Sequence, residues 1–240
     1  MATYGQFCPV AKAMEVLDER WTVLVVRELL LGSRHFNDLR RGVPKMSPAL
    51  LTKRLKRLER AGVVTRTVVD GRSRYTLTDK GSELWEVVEA LSQWGMKWIG
   101  ELGDTDLDPH LLFWDMRRKI ALDDWPRART TVAFEFSDVA GRAGRWWLVV
   151  DSDDVEVCDF DPGYDVAAEV RTDLRTLTEL WRCDTDWPTA LANERVTIVA
   201  ETQVRRQIPQ WIGHPDSSRH RDHESRQGRV GSAVISAARG

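Results

Sequence analysis

The sequence predicts two domains of different class: an N-terminal, mostly α module closed by a β-hairpin, and a C-terminal α+β domain with a mostly antiparallel sheet. Three observations predict this. The chain's 240 residues exceed the roughly 100 to 150 of a common single domain. Apolar residues recur at helical spacing through the first hundred positions, whereas strand-like alternation takes over in the second half. Charge divides in the same way: Gly32 to Lys80 holds 13 Lys or Arg against 4 Asp or Glu, and Glu101 to Ala200 holds 11 against 22. A concentrated basic segment is the footprint of phosphate binding, and an acidic segment repels it.

Composition sets the outer limits. With 42% hydrophobic and 30% charged residues the chain is neither fibrous nor largely disordered. No apolar run approaches the 18 residues of a membrane helix, and Met1 to Phe7 lacks the basic and apolar regions of a signal peptide, so a cytoplasmic protein without a membrane role is expected. Cys8, Cys158 and Cys183 are an odd set with no CxxC pair, which argues against a disulfide framework, a zinc site or any other metal.

Cys8-Pro9 opens a first helix, because proline suits a first helical position, with Ala11, Met14 and Leu17 following on one face. A second helix from about Arg20 to Leu31 is apolar on several sides and stops at Gly32. Ser33 is the predicted cap of a short helix carrying Phe36 and Leu39, which Gly42, Val43 and Pro44 end. Ser47-Pro48 then pairs an N-cap with a first-turn proline and opens a helix that lasts to Ala61-Gly62. On it Leu51, Leu55 and Leu58 share one face and belong to the core. At 100° per residue Ala49, Thr52, Lys53, Lys56 and Arg60 fall opposite. Val63 to Val69, the turn pair Asp70-Gly71 and Arg74 to Leu77 read as a hairpin with Arg72 and Arg74 at its tip. Thr78 caps a long helix to about Ile99, striped with Leu84, Val87, Val88, Leu91, Trp94 and Trp98.

Helix, short helix, turn, basic helix and basic hairpin make a winged helix-turn-helix. A small, polar and basic helix face suits a DNA major groove, which admits one helix, offers base edges to its N-terminal residues and phosphates to its long cations. The expected DNA-binding set is Ser47, Ala49, Thr52 and Lys53 for base discrimination, with Lys56, Arg60, Arg72 and Arg74 on the phosphates of double-stranded DNA.

Several separate motifs in order carry a family likeness. Cys8-Pro9, Glu19-Arg20-Trp21, Arg27-Glu28-Leu29, Phe36-Asn37-Asp38-Leu39, Ser47-Pro48-Ala49-Leu50-Leu51, Leu55, Leu58-Glu59, Gly62 and Tyr75-Thr76-Leu77-Thr78 resemble the HxlR-type transcriptional regulators over about Cys8 to Gly95. The resemblance implies a homodimer on a pseudo-palindromic operator, joined through the first helix and the long helix after the wing. Trp85, Trp94 and Trp98 offer apolar surface for such an interface, with packing on the C-terminal domain as the competing destination. The short turn Val69-Asp70-Gly71-Arg72 lacks a proline-rich insertion, which limits minor-groove contacts. Some members of this family sense oxidants or electrophiles through a cysteine near the first helix. Cys8 is the candidate redox site, since a helix N-terminus and Lys12 one turn on favour a thiolate; a structural cysteine is the commoner case.

The domain limits expected are 1–100, a linker over 101–108, a second domain over 109–212 and a polar tail over 213–240, including His214, His220 and His223, that is expected to be disordered. Pro109 begins a helix to Ile120. Strands follow at Thr130 to Phe136, Trp146 to Val150, Val155 to Phe160 and Val166 to Arg171. Helices come next at Leu174 to Trp181 and Pro188 to Asn193, then a strand at Val196 to Ala200 and a helix at Thr202 to Trp211. Helices on one face of a sheet result. Val155-Glu156-Val157-Cys158 before Asp161-Pro162, Val166 to Val170, the Asp173-Leu174 helix start and Val196-Thr197-Ile198 resemble a sterol-carrier-protein-like domain over about Asp108 to Trp211. Only Asn193-Glu194 stands where that domain has a glycine-rich stretch. The resemblance implies an apolar tunnel, and hence sensing of an apolar or amphipathic small molecule with Trp146, Trp181 and Trp211 as candidate contacts and the Thr202 to Trp211 helix as lid. Tryptophan also fills ordinary cores.

Asp151, Asp153 and Asp154 lack the glycine and terminal glutamate of a calcium loop. No GxSxG, HExxH, GxGxxG or P-loop occurs, so neither an enzyme nor a cofactor is expected. The readings that compete are an enzyme or lipid-carrier activity in the C-terminal domain, and an acidic protein-interaction module.

Overall fold

The computed structural model describes residues 3–99, 102–152 and 154–213, so the tail expected to be disordered lies, from residue 214 on, outside the described residues. The chain divides between Leu102 and Gly103 into two compact units.

In the first unit, α1 (Pro9–Leu17) begins on Pro9 with Cys8 as its N-cap. Trp21 adopts a left-handed φ of 78°, a conformation that L side chains rarely take, and α2 (Thr22–Leu30) follows. Val25, Val26 and Leu29 of α2 lie in one core with Leu39, Val43, Leu51, Leu55 and Leu58. These come from α3 (Phe36–Gly42), the turn after it and α4 (Pro48–Arg60). Gly42 ends α3 where nothing larger fits, because a Cβ would fall 1.9 Å from the carboxyl carbon of the fully buried Glu28. That carboxylate pairs with Arg27 at 2.8 Å, and Arg27 donates in turn to the Gly42 carbonyl at 3.0 Å. Charge-assisted bonds thus close the α2–α3 crossing.

Strands β1 (Val64–Val69) and β2 (Arg72–Leu77) form the antiparallel hairpin. Asp70 and Gly71 both have positive φ, 50° and 73°, as a primed two-residue turn requires.

Two helical expectations need correction. His35, not Ser33, is the N-cap of α3. Ser33 is buried and its amide donates to the Glu28 carbonyl, so it completes the end of α2, while His35 is extended because it bridges to Arg74. The long helix after the wing is two: Thr78 caps α5 (Asp79–Ser82), and α6 (Leu84–Trp98) follows after Glu83. The Thr78 hydroxyl holds the short segment on the Gly62 carbonyl at 2.7 Å, and Gly81 inside it weakens helical continuity.

In the second unit Asp104–Asp106 forms a 3₁₀ turn within the expected linker. Asp108 caps α7 (Pro109–Lys119), accepting from the amides of His110 and Leu111. The sheet contains β3 (Thr130–Phe136), β4 (Arg145–Asp151), β5 (Asp154–Cys158), β6 (Val166–Thr172) and β7 (Val196–Ala200). Its spatial order is β5-β4-β3-β6-β7. The expected mostly antiparallel sheet is in fact mixed, because its central pair, β3 with β6, is parallel. After β5 the chain does not add to the free edge of β5 but returns across the sheet to β3, and a reading by successive hairpins misses that return.

Val132, Phe134, Leu148, Val150, Ala168 and Val170, all at even positions of β3, β4 and β6, are buried. They form one core with residues of α7, α8 (Leu174–Arg182), α9 (Trp187–Ala192) and α10 (Thr202–Trp211). The alternation of period two on strands and the stripe on α8 create that single apolar layer.

One polar group inside this layer joins two helices. Asp115 on α7 accepts from Trp181 Nε1 of α8 at 2.9 Å and pairs with Lys119 at 3.0 Å. Burial pushes its carboxyl up, but Lys119, the Trp181 bond and Arg118 outweigh that and hold it below the ordinary carboxylate range. A carboxylate whose folded pKa is depressed stabilises the fold above its unfolded pKa, about 4, and that contribution is lost as pH falls through the folded value. Asp115→Ala removes the carboxylate that accepts from the indole and pairs with Lys119, and should cost about 1–3 kcal/mol in the unfolding of the second unit, measured by urea. Asp115→Asn should flatten the loss of stability below about pH 4. An unchanged acid limb would show that the carboxylate contributes nothing.

Candidate nucleic-acid interface

The basic surface of the first unit is built on α4. Ser47 holds an extended backbone and its Oγ accepts from the Leu50 amide at 3.3 Å, which leaves its hydroxyl proton available to a phosphate or base. Proline at the first helical position costs no hydrogen bond. Burial of Leu51, Leu55 and Leu58 then turns Ala49, Thr52, Lys53, Lys56 and Arg60 to solvent, and all five are exposed. Thr52 donates its hydroxyl proton to the Pro48 carbonyl at 3.0 Å, so toward a base it presents an acceptor and a methyl group.

The wing is held onto the helical part from one side. The Tyr75 amide donates to the Arg34 carbonyl at 2.8 Å, and a His35–Arg74 bridge extends the hairpin toward the segment before α3. Arg72 and Arg74 are exposed. Arg66, also exposed, reaches across the hairpin and donates to Ser73 Oγ at 2.8 and 3.0 Å. The structure therefore places Ala49, Thr52, Lys53, Lys56 and Arg60 together on one exposed helix face, with Ser47 at its N-cap, and puts Arg72 and Arg74 on the wing.

Two cations of α4 are turned the other way. Arg54 donates from Nε to the Arg20 carbonyl at 3.1 Å and pairs with Glu19. Arg57 pairs with the same Glu19 carboxylate, lies 3.6 Å from Asp18 and donates to the Glu15 carbonyl. Hydrophobic periodicity passes over both because they are charged. The signal was available in the helical angle: Arg54 sits within about 60° of Leu51 on the inward arc.

Comparison with known proteins gives a consistent match over this unit. Residues 16–102 match the HxlR-like helix-turn-helix family. The uncharacterized HTH-type transcriptional regulator YvaP of Bacillus subtilis (strain 168) is 40% identical over 99 residues, which are 40% of this chain and 92% of that protein. The chain belongs to the HxlR-like helix-turn-helix family. A second family relative, the uncharacterized HTH-type transcriptional regulator sll1512 of Synechocystis, is 36% identical over 98 residues, 40% of this chain and 73% of that one. The HTH-type transcriptional regulator YodB of Bacillus subtilis is 33% identical over 102 residues, 41% of this chain and 90% of that one. The relatives of this HxlR-like chain are thus named as regulators of transcription, which supports a DNA-binding regulator and a role other than catalysis.

The remaining candidate residues sit as follows. Cys8 is half-buried at the start of α1 and makes no side-chain cap bond. Lys12, expected to favour its thiolate, is committed to Glu15 at 2.9 Å. In the second unit Trp146, Trp181 and Trp211 are buried in the core. The Trp146 ring stacks on Phe113 at 4.8 Å and donates to the Ala143 carbonyl; Trp211 stacks on Trp125 at 5.0 Å, and Trp125 Nε1 donates to the Trp211 carbonyl. A cleft of about 350 Å³ opens instead beside Arg129, Val149, Asp151, Asp154, Glu156 and Tyr164, and none of the three tryptophans lines it. Among the described residues no helix is long and apolar enough to cross a membrane, and no group of His, Cys, Asp and Glu is arranged to hold a metal ion.

Proposed function

We propose that this protein is a transcriptional regulator that binds a pseudo-palindromic operator as a homodimer, with α4 as its recognition helix. The observation that carries the reading is the open face of α4, where small and polar residues occupy the N-terminal turns and Lys53, Lys56 and Arg60 extend from the following ones. A major groove accepts one helix of that kind. Ser47, Ala49, Thr52 and Lys53 read base edges; Lys56, Arg60, Arg72 and Arg74 take phosphates.

The homodimer is supported by α6. Val87, Leu91, Trp94 and Trp98 recur at i, i+4, i+7 and i+11, and each is about half exposed or more. A contiguous apolar stripe of this kind on a helix marks an association surface, and a two-fold interface pairs the same surface on both subunits.

The proposed part of the second unit is sensing, in line with its resemblance to a sterol-carrier-protein-like domain. An apolar or amphipathic molecule would enter between the sheet and α10. Ile208 and Trp211 fill that space with almost no exposure, so entry requires α10 to lift and the Trp125–Trp211 stack to open. A molecule that weakens operator binding by moving α10 must, by linkage, bind less tightly when DNA is bound, by the same factor, typically about 5 to 150.

Two measurements test the reading. Replacing Lys56, Arg60, Arg72 or Arg74 by Ala should weaken binding to all sequences alike and flatten log K against log salt by about one unit per lost contact. Thr52→Ala or Lys53→Ala should instead relax preference at one or two base pairs. Unchanged operator affinity in all six variants would remove α4 and the wing from the interface. For the second unit, titration with long-chain fatty acids and sterols should change tryptophan fluorescence saturably, with affinity lowered by operator DNA. Saturation that ignores the DNA would leave a binding domain and no switch.

A further inference from the structure

Five cations lie on α4, and the fold divides them. Lys53, Lys56 and Arg60 are exposed, whereas the side chains of Arg54 and Arg57 are only 9% and 15% exposed. We infer that Arg54, Arg57 and Glu19 form a clamp that sets the angle of α4, and that Arg57, although basic and on the recognition helix, is a positioning residue and not a phosphate contact. The inference rests on the DNA-binding reading above.

The stripe of Leu51, Leu55 and Leu58 holds α4 to the core through non-directional contacts, which tolerate a small roll or slide of a helix along its neighbour. Guanidinium–carboxylate pairs are directional, because the planar fork of arginine must meet the carboxylate in its own plane. Arg54 and Arg57 stand one turn apart on α4, and both meet the single carboxylate of Glu19. Arg54 also donates to the Arg20 carbonyl, and Arg57 to the Glu15 carbonyl. Two points a turn apart, tied to the junction between α1 and α2, fix both the roll and the slide.

The anchor is itself held. Asp18, 3.6 Å from Arg57, accepts from the Tyr4 hydroxyl at 3.0 Å. Glu15 accepts from Thr3 Oγ1 at 2.8 Å and from the Tyr4 amide at 3.1 Å. Base-edge hydrogen bonds demand placement to about 0.5 Å and 10–20°, whereas loose phosphate attraction does not. Release of the clamp therefore harms sequence discrimination and spares non-specific attraction.

The test uses the full chain and two probes: the duplex that the wild type enriches from random DNA, and an unselected duplex of equal length. Each is titrated across a salt series, with folding checked by a thermal melt. Arg57→Gln and Glu19→Gln should each weaken binding to the selected duplex about tenfold, as loss of one charge-assisted hydrogen bond does. Both should leave the unselected duplex within about twofold and the salt slope unchanged, since no phosphate contact is lost. The double variant should be no weaker than either single one, because both act on one clamp. Arg57→Lys, which keeps the charge without the fork, should behave as Arg57→Gln. The sign for Glu19→Gln decides the matter even where Arg57→Gln fails to fold. If Arg57 swings out to a phosphate, freeing it from Glu19 tightens DNA binding, and Arg57→Gln flattens the slope by about one unit; that outcome, or no change in either variant, overturns the clamp. A wild type that enriches no sequence would bring down the DNA-binding reading and the clamp together, whereas a selective wild type with unaffected variants brings down the clamp alone.

Discussion

The burial of Leu51, Leu55 and Leu58 in one core with Val25, Val26 and Leu29 is the constraint from which the functional surface follows. A helix whose apolar stripe faces inward must face outward with the residues about half a turn away, and on α4 those are Ala49, Thr52, Lys53, Lys56 and Arg60. Nothing about DNA is needed to place them. Full burial of one leucine contributes about 1.5–3 kcal/mol, and three on one helix are enough to make a roll that brings them to solvent costly. Ser47 and Pro48 add the start point, so both ends of the recognition face are set by local chemistry: a capping hydroxyl at one, the Ala61-Gly62 turn at the other.

Charge is distributed so that cations with different jobs do not compete. On α4 the outward cations are exposed, and the inward pair is neutralised by Glu19 with Asp18 nearby. In the second unit the face of the sheet away from the helices carries Glu135, Arg145, Glu169 and Arg171 in linked ion pairs. Arg171 and its neighbours hold the Glu169 carboxyl below its usual range. These pairs are open to solvent and add little stability.

Much of the architecture was legible because breakers and periods agreed. Pro48 after Ser47, Asp70-Gly71 between two β-rich runs, and Pro109 after Asp108 each mark a boundary with a physical mechanism, and each stands at a boundary in the structure. What escaped was decided by contacts distant in sequence. His35 displaced Ser33 as a cap because the wing, almost forty residues on, draws it into a bridge. The parallel pairing of β3 with β6 depends on where the chain returns after β5, about which strand periodicity is silent. Arg54 and Arg57 were illegible to a hydrophobic pattern, since a buried arginine reads as polar until its partner at Glu19 is known. The tryptophans show the same limit: nothing in the spacing of Trp146, Trp181 and Trp211 distinguishes a cavity wall from a filled core, and the stacking of Trp146 on Phe113 and of Trp211 on Trp125 comes from contacts distant in sequence.

The central claim, that the outward face of α4 enters the major groove, is most directly tested by photocrosslinking. A benzophenone side chain is placed singly at Thr52 and at Lys56, both exposed. Each protein is irradiated on its selected duplex. Crosslinks are expected from both positions at discrete sites about one helical turn, roughly 34 Å, apart in the two half-sites. No crosslinks from 52 and 56 on a duplex that the protein still binds would contradict the claim.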